Sequence, residues 1–432
     1  MIKVQTIKGM NDILPADLLK MEYVESLLFK SAAKYGFSRV QTPILESAEI
    51  YKSTAEFPEE KCYSLSDSKG RKMVLRSDPD APLVRLVANN WVNHPKPIKL
   101  SFCGSIFRSW NIHRREFKMF SLSTFGLDGF VADVEILRII ADVMEEIGFS
   151  GHRIEFNNLN LFRDIICAAD RAPRQDEDIK RILHDIRFAA DEEAIADILR
   201  SSGLSENIIA IILDLFHSRS DEPRIYEILD KASKTFPALT PELEKTLSFK
   251  ASLASYGLQN CHLNVSNLHG TGFYSGLTYR IFSKNGSKEI GDGGRYDQMM
   301  ERIQGRPMPA TGIGLGIERF VELIEAEGLT ISLPSRAKNM IIAFAGSELA
   351  DRCRPILRKL RSAGYIIEED LASRDLDKVV RYAKTKQANR VIMIKSAESG
   401  ALQLKIIDLD EDKSDSSLVN DPEELYDVLL KC

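Results

Sequence analysis

The sequence predicts an α+β chain in which an antiparallel-sheet core is interrupted by a helical block and followed by a small α/β domain. Three observations carry this. Between Lys72 and Gly126 short apolar runs (Met73 to Leu75, Ile98 to Phe102, Met119 to Phe125) alternate as antiparallel strands do. From about residue 160 to 256 the pattern is almost wholly helical, with Ile179, Ile182, Leu183 and Ile186 on one face. Beyond residue 338, β and α segments alternate at lengths that suit an α/β unit. At 432 residues there is length for two or three domains with their own cores.

In chain order, Met21, Val24, Leu27, Leu28 and Ala32 recur at helical spacing, and Gly36 ends the run as a C-terminal cap. The following segment, Arg39 to Leu45, reads as extended, and its Pro43 suits an edge strand better than a central one. Gly129 to Gly148 returns to helical period through Val134, Ile136, Ile140 and Met144, and His262 to Phe282 reverts to a sheet pattern. A helix from Ile317 to Glu327 ends at Gly328, and residues 330–337 (TISLPSRA) have the composition of a linker. The order is then strand Met340 to Phe344, helix Leu349 to Ala363, strand Tyr365 to Ile367, helix Asp377 to Thr385 and strands Arg390 to Ile394 and Leu402 to Ile407. The domains expected are therefore 1–329, a linker at 330–337, and 338–432.

Composition excludes several classes. A net charge of -5 is wrong for a protein that coats nucleic acid nonspecifically. The basic clusters Arg352 to Arg361 and Arg374 to Lys386 read first as solvated faces of amphipathic helices. No apolar run is long enough to span a membrane, and the N-terminus lacks the apolar stretch of a secretory signal. The six cysteines are scattered without a CxxC pair, so neither a zinc site nor a disulfide framework is expected, and a reducing cytoplasm is the natural setting. The acidic run Asp408 to Asp412 reads as a solvated hairpin end, and no metal is assigned to it.

The most informative stretch is Ala310 to Phe320, ATGIGLGIERF, a glycine-spaced strand or turn running into a helix that carries an unpaired Arg319. Glycines allow close backbone approach to a ligand, and an arginine there is a planar clamp for phosphate. Upstream lie KGMNDILP (Lys8 to Pro15), YGFSRVQTPILE (Tyr35 to Glu46), IFRSWNIHRREFKMFSLSTFG (Ile106 to Gly126) and GDGGRYD (Gly291 to Asp297), the last read as a turn. In their order and spacing these resemble the motifs of histidyl-tRNA synthetases, end to end. The resemblance implies the class II synthetase core with its helical insertion, a homodimer formed through the first helix and strand, and a C-terminal anticodon-binding domain that includes GYIIEEDLASR (Gly364 to Arg374). Regulatory paralogues of the family usually lack that last domain.

The resemblance also implies a nucleotide site for ATP, with Mg²⁺ expected alongside it. Arg108 aligns with the second-motif arginine of the α-phosphate and Arg319 with the third-motif arginine of the γ-phosphate, while Arg115 falls where the family keeps a further arginine over the nucleotide. Gly293, Gly294, Arg295 and Gly316 complete the set. Trp110 stands where the family has a glutamate that accepts from the adenine amino group, and an indole has a donor but no acceptor.

The amino-acid half departs further. In place of RGLDYYTG the chain has HGTGFYSG (His269 to Gly276), so His269 occupies the catalytic arginine's position. Histidine is at most partly charged near neutrality and cannot make the bidentate contact. Loss of one such donor costs about a hundred- to a thousandfold in rate. Met119 replaces a glutamine, Ser123 a glutamate and Phe273 a tyrosine, whereas Tyr274 stays. Asp78 in LRSDPDAP keeps an acidic position, and Asp80 replaces the usual threonine. The second-motif loop, which in the family meets the tRNA acceptor end, is about three residues short by alignment.

These residues imply an adenylate-forming ligase with a pocket altered from histidine, passing its carboxylate to tRNA or another acceptor. The alternatives are a non-catalytic regulator, like the synthetase-derived subunit that partners ATP phosphoribosyltransferase, and a divergent histidine-tRNA ligase. Retention of Arg108, Arg319 and the C-terminal domain favours the first.

Overall fold

Among the described residues, eight strands form the larger sheet, in the order Ser38–Val40, Ile98–Phe107, Glu116–Phe125, Ala310–Gly316, Glu289–Arg295, Leu277–Phe282, Arg153–Asn158 and Cys261–Leu263. Neighbours are antiparallel except at the two ends, where the short outer strands pair in parallel. The computed structural model describes residues 5–52, 61–110, 113–149, 151–168, 174–283, 288–329 and 339–431, and the chain divides into two units, residues 1–331 and 332–432. The predicted linker at 330–337 lies outside the described residues. No described helix is long and apolar enough to cross a membrane.

Successive side chains of a strand point to opposite faces, and this alternation sets the inside of the larger unit. On Glu116–Phe125, Phe120 turns toward helix Pro15–Lys34, where its ring meets Phe29 edge-on at 5.2 Å. Met119 turns to the other face. Helices Pro15–Lys34 and Val131–Ile147 bury Val24, Leu28, Ile136, Ile140 and Met144 in the core that the strands share. Gly36 and Gly148, at φ +82° and +83°, follow these helices in the left-handed conformation that glycine adopts without strain.

Two segments differ from the sequence reading. Arg39 to Leu45 is not one extended strand: Ser38–Val40 joins the larger sheet, and Leu45–Ser47 joins a three-stranded sheet with Lys72–Leu75 and Ser64–Ser66. Pro43 lies between them and has no N–H to continue a ladder. Between Lys72–Leu75 and Ile98–Phe107 the chain forms helix Asp80–Asn90, burying Leu83, Val84, Val87 and Ala88. The helical block holds Asp176–Arg187, Glu192–Ser201, Glu206–His217, Glu222–Thr235 and Thr240–Ser255. Two of these begin with an aspartate cap: Asp191 Oδ1 accepts from Ala194 N at 2.9 Å and Asp221 Oδ1 from Arg224 N at 3.1 Å.

The second unit is a five-stranded sheet in the order Ile366–Glu369, Asn339–Phe344, Arg390–Ser396, Leu402–Asp408, Lys413–Val419, parallel over the first three strands and antiparallel thereafter. Helices Ser347–Ser362, Leu376–Thr385 and Pro422–Lys431 accompany it. The basic clusters lie on the first two of these helices. The acidic run turns between the last two strands, with Asp412 at φ +51°. Lys413–Val419 is mostly exposed and polar, so it carries no apolar alternation to mark it as the edge strand it is.

Candidate active site

The cleft opens on the face of the larger sheet opposite Phe120. It has two lobes, of about 470 and 500 Å³, that share Arg108, Met119, Glu289, Asp292 and Gly314. Asp78, Asp80, Trp110, His269, Phe273, Tyr274 and Arg280 line the first lobe, while Gly316, Arg319 and Phe117 line the second. Of the residues singled out in the sequence, these elements bring together Arg108 and Arg319 on one side and Asp78, Asp80, Met119, His269, Phe273 and Tyr274 on the other.

Arg108 follows the end of strand Ile98–Phe107, and its N–H donates to the Arg115 carbonyl at 2.8 Å across the base of the hairpin loop. Residues 111–112 of that loop lie outside the described residues. The Arg108 guanidinium donates from Nε to the Ser77 carbonyl at 3.1 Å and sits 5.1 Å from the Phe117 ring and 5.9 Å from the Trp110 ring. A cation held over aromatic faces in this way is pre-oriented. Arg319 lies in the first turn of helix Ile317–Ala326, half exposed. It is not unpaired as the sequence suggested, because Nη1 lies 3.7 Å from Glu289 Oε1.

His269 is 7% exposed. Its Nδ1 lies 2.9 Å from Asn267 Oδ1, its ring meets Tyr274 edge-on at 5.4 Å, and its Nε2 stands 3.9 Å from Asp292 Oδ2, beyond hydrogen-bond distance. Burial, reinforced by the Arg280 charge, pushes its pKa down to about 3, so the ring is neutral at physiological pH. Asp78 moves the other way: burial raises it to about 6, against the backbone N–H of Ala81, which donates to Oδ1 at 2.9 Å, and the charge of Arg108. Asp292 is only partly buried, with 42% of its side chain exposed; desolvation by the surrounding protein raises its pKa, while Arg108, Arg280, Arg319 and Arg187 oppose that shift.

Several sequence assignments are corrected by this geometry. The GDGGRYD stretch is not a turn but part of the central strand Glu289–Arg295. Arg295 points away from the cleft: it is 4% exposed, pairs with Asp133 at 2.9 Å and Asp297 at 2.9 Å, and donates to the Leu127 carbonyl at 2.9 Å. Its guanidinium has no capacity left for a nucleotide. Gly293 and Gly294 serve the sheet, since a Cβ on them would stand 2.3 Å from the Gly312 carbonyl oxygen and 2.6 Å from the Leu277 carbonyl oxygen. Arg115 and Ser123 line neither lobe; the Arg115 N–H donates to the Gly9 carbonyl at 2.7 Å, and Ser123 is fully buried beside Gly312.

Charged residues of the cleft that the sequence reading did not assign to it include Arg187, Arg280, Glu289 and Asp292, with Lys61 in the first lobe and Arg114 and Glu322 in the second. The signal for Arg280 was present, as a lone charge within the buried strand Leu277–Phe282. Asp292 was hidden inside a glycine run, and Arg187 arrives from the helical block, which no local pattern connects to the sheet.

The family model described as Histidyl-tRNA synthetase matches residues 9–320. The histidine-tRNA ligase of Methanocaldococcus jannaschii is 27% identical over 412 residues, covering 94% of this chain and 96% of the relative. That of Pyrococcus furiosus is 25% identical and covers 99% of this chain and 100% of the relative. In fold, the chain is similar to histidyl-tRNA synthetase from Nostoc sp. PCC 7120, with a TM-score of 0.78 at 18% identity over 100% of both chains. It is also similar to a Bacillus halodurans C protein described as an ATP phosphoribosyltransferase regulatory subunit/histidyl-tRNA synthetase, with a TM-score of 0.75 at 19% identity, covering 92% of this chain and 100% of that one.

Proposed function

Because the chain belongs to the histidyl-tRNA synthetase family, we propose that it is an adenylate-forming ligase that activates an amino acid or similar carboxylate other than histidine with ATP, then passes it to tRNA or another acceptor. The observation that carries this reading is the convergence of Arg108 and Arg319 on one lobe. Adenylation places a carboxylate oxygen on the α-phosphorus and breaks the bond to the departing pyrophosphate, so it needs fixed cations at both ends of the triphosphate. A protein that never handled a nucleotide has no chemical reason to hold two guanidiniums in this way.

In this reading the triphosphate lies between Arg108 and Arg319, Gly314 and Gly316 leave room for it, and the Trp110 ring offers a face to the adenine. The carboxylates of the phosphate lobe are Glu289, Asp292 and Glu322. Among the described residues no group of three or more His, Cys, Asp or Glu side chains is disposed to hold a metal by itself. That fits Mg²⁺, which the family generally uses with ATP and which binds through one or two carboxylates plus substrate phosphates. When bound, the ion neutralises phosphate charge; Glu289 and Asp292 are the side chains that would hold it.

The substrate's ammonium would meet Asp78 and Asp80 in the first lobe. Met119 lines that lobe without a polar group, and Ser123 does not line it. An imidazole buried there would lack the partners that family members supply, at a cost of roughly 1–3 kcal/mol for each unmet bond. The exposed apolar residues Ile7, Ile13, Leu14, Leu18, Ile44 and Leu45 around the first helix and strand support a homodimer through that surface. The basic helices of the second unit support an anticodon-binding role, and the family's general setting supports a cytoplasmic one.

ATP-pyrophosphate exchange, run with each proteinogenic amino acid in turn and with ATP binding measured in parallel, tests the reading. Exchange with an amino acid other than histidine supports it; a folded protein that does not bind ATP at millimolar concentration with Mg²⁺ overturns it. A non-catalytic regulator is the second reading, favoured by the uncharged His269 at the catalytic arginine's position, and absence of ATP binding is its expected signature. A divergent histidine-tRNA ligase, favoured by the near full-length similarity to curated ligases, would show exchange with histidine instead.

A further inference from the structure

We propose that Arg280 supplies the positive charge at the reacting carboxylate that the loop residue His269 cannot supply. The inference rests on the adenylation reading above. Carboxylate attack forms a C–O–P link while the electron pair of the breaking P–O bond leaves with pyrophosphate. No proton is transferred in this step, and a cation beside the carboxylate and the α-phosphate lowers the barrier.

Arg280 is built for that place. It lies on the strand Leu277–Phe282, in register opposite Asp292 of the neighbouring strand, and lines the first lobe together with His269. Its guanidinium is oriented from two sides, by an ion pair with Glu289 and by the Phe282 ring 4.9 Å away. Glu289 also faces Arg319 at 3.7 Å, so Arg280, Glu289 and Arg319 form a chain of alternating charge from the first lobe to the second. The Arg280 side chain keeps 31% of its surface open. His269 on the same wall is buried and neutral, and Arg280 is the leading positive charge acting on it.

The other two guanidiniums of the first lobe, Arg108 and Arg187, are placed for other work. Arg108 is shared with the phosphate lobe. Arg187 ends a helix of the inserted block rather than standing on the sheet. A strand-borne guanidinium is more rigid than one on a loop, which favours a fixed contact to a planar carboxylate.

The test is pyrophosphate exchange on the full chain with each proteinogenic amino acid, alongside ATP·Mg²⁺ binding read by fluorescence of Trp110, for the wild type, Arg280→Gln, Arg280→Lys and the double variant Arg280→Gln with His269→Arg. The expected result is exchange reduced about a hundredfold in Arg280→Gln with ATP affinity kept. Arg280→Lys should fall less, and the double variant should regain at least about tenfold because a guanidinium returns to the same wall. Rescue from position 269 is an effect that a merely structural Arg280 would not produce. If Arg280→Gln does not fold, the lysine variant carries the test: undiminished exchange there, with no gain on adding His269→Arg, overturns the inference. Wild-type exchange that survives Arg280→Gln overturns the inference alone, whereas a wild type that neither exchanges nor binds ATP overturns the adenylation reading and the inference together.

Discussion

Asp133 Oδ2 accepts from Arg295 Nη1 at 2.9 Å, and both side chains are almost wholly removed from solvent. Asp133 also accepts from Thr311 Oγ1 at 2.6 Å, so helix Val131–Ile147, strand Glu289–Arg295 and strand Ala310–Gly316 meet at one ion pair. Removing one partner of a buried pair leaves the other uncompensated, typically at about 3–5 kcal/mol. Arg295→Met should therefore lower the unfolding free energy by about that much in a urea titration, and a variant as stable as wild type would contradict the structural role.

The glycines of the 310–316 strand should differ sharply. A Cβ on Gly312 would stand 2.7 Å from the Leu122 carbonyl oxygen, a backbone atom that cannot rotate away, whereas at Gly316 the nearest atom is Arg319 Cβ at 3.5 Å. Gly312→Ala is expected to cost about 1–3 kcal/mol through overpacking, and Gly316→Ala within about 0.5 kcal/mol of wild type, the usual range for a substitution that breaks no packing. Thermal unfolding of the two proteins decides it.

Asp78 gives a pH signature. Its folded pKa of about 6 exceeds the ordinary 3.8, so the fold prefers the protonated carboxyl. The group's contribution is fully present below pH 3.8 and is lost as pH rises through 6. Asp78→Asn, which cannot ionise, should be more stable than wild type at pH 8 by roughly 2–3 kcal/mol, with the advantage shrinking toward pH 4. Denaturant unfolding at a series of pH values would expose the opposite trend if burial did not dominate.

His269 has the opposite sign. With a folded pKa of about 3 against an ordinary 6.5, it contributes stability that is present above pH 6.5 and lost as pH falls through 3. His269→Gln should lose less stability than wild type on acidification across that window. Selective ¹³C labelling of histidine should show one ring with no titration between pH 5 and 8, and a midpoint near 6.5 for His269 would refute its burial as neutral imidazole.

The apolar rim at the first helix and strand gives a prediction for assembly. Ile44 is 49% exposed and Leu14 65% exposed. Replacing both with Asp should convert a dimer to a monomer in sedimentation velocity at micromolar concentration while each chain stays folded, because exposed side chains contribute little to the protomer's own core. A wild type that sediments at the mass of a single chain would remove this interface from consideration.

Local pattern alone determined much of this chain: helices such as Val131–Ile147, with apolar residues at helical spacing and a glycine cap, and the alternating C-terminal unit were legible because their burial is periodic in sequence. Arg108 and Arg319, which line one lobe, were singled out by the resemblance of the motifs that carry them. What the sequence could not decide was direction and company. Arg295 looked like a ligand-binding arginine beside glycines, yet strand alternation turns it inward to Asp133, which lies more than a hundred residues away. Arg280 drew no notice, yet the same alternation and register set it against Asp292 and Glu289 in the cleft. Charge and hydrogen bonding act through space over a few ångströms, and only the folded sheet fixes which residues share that distance.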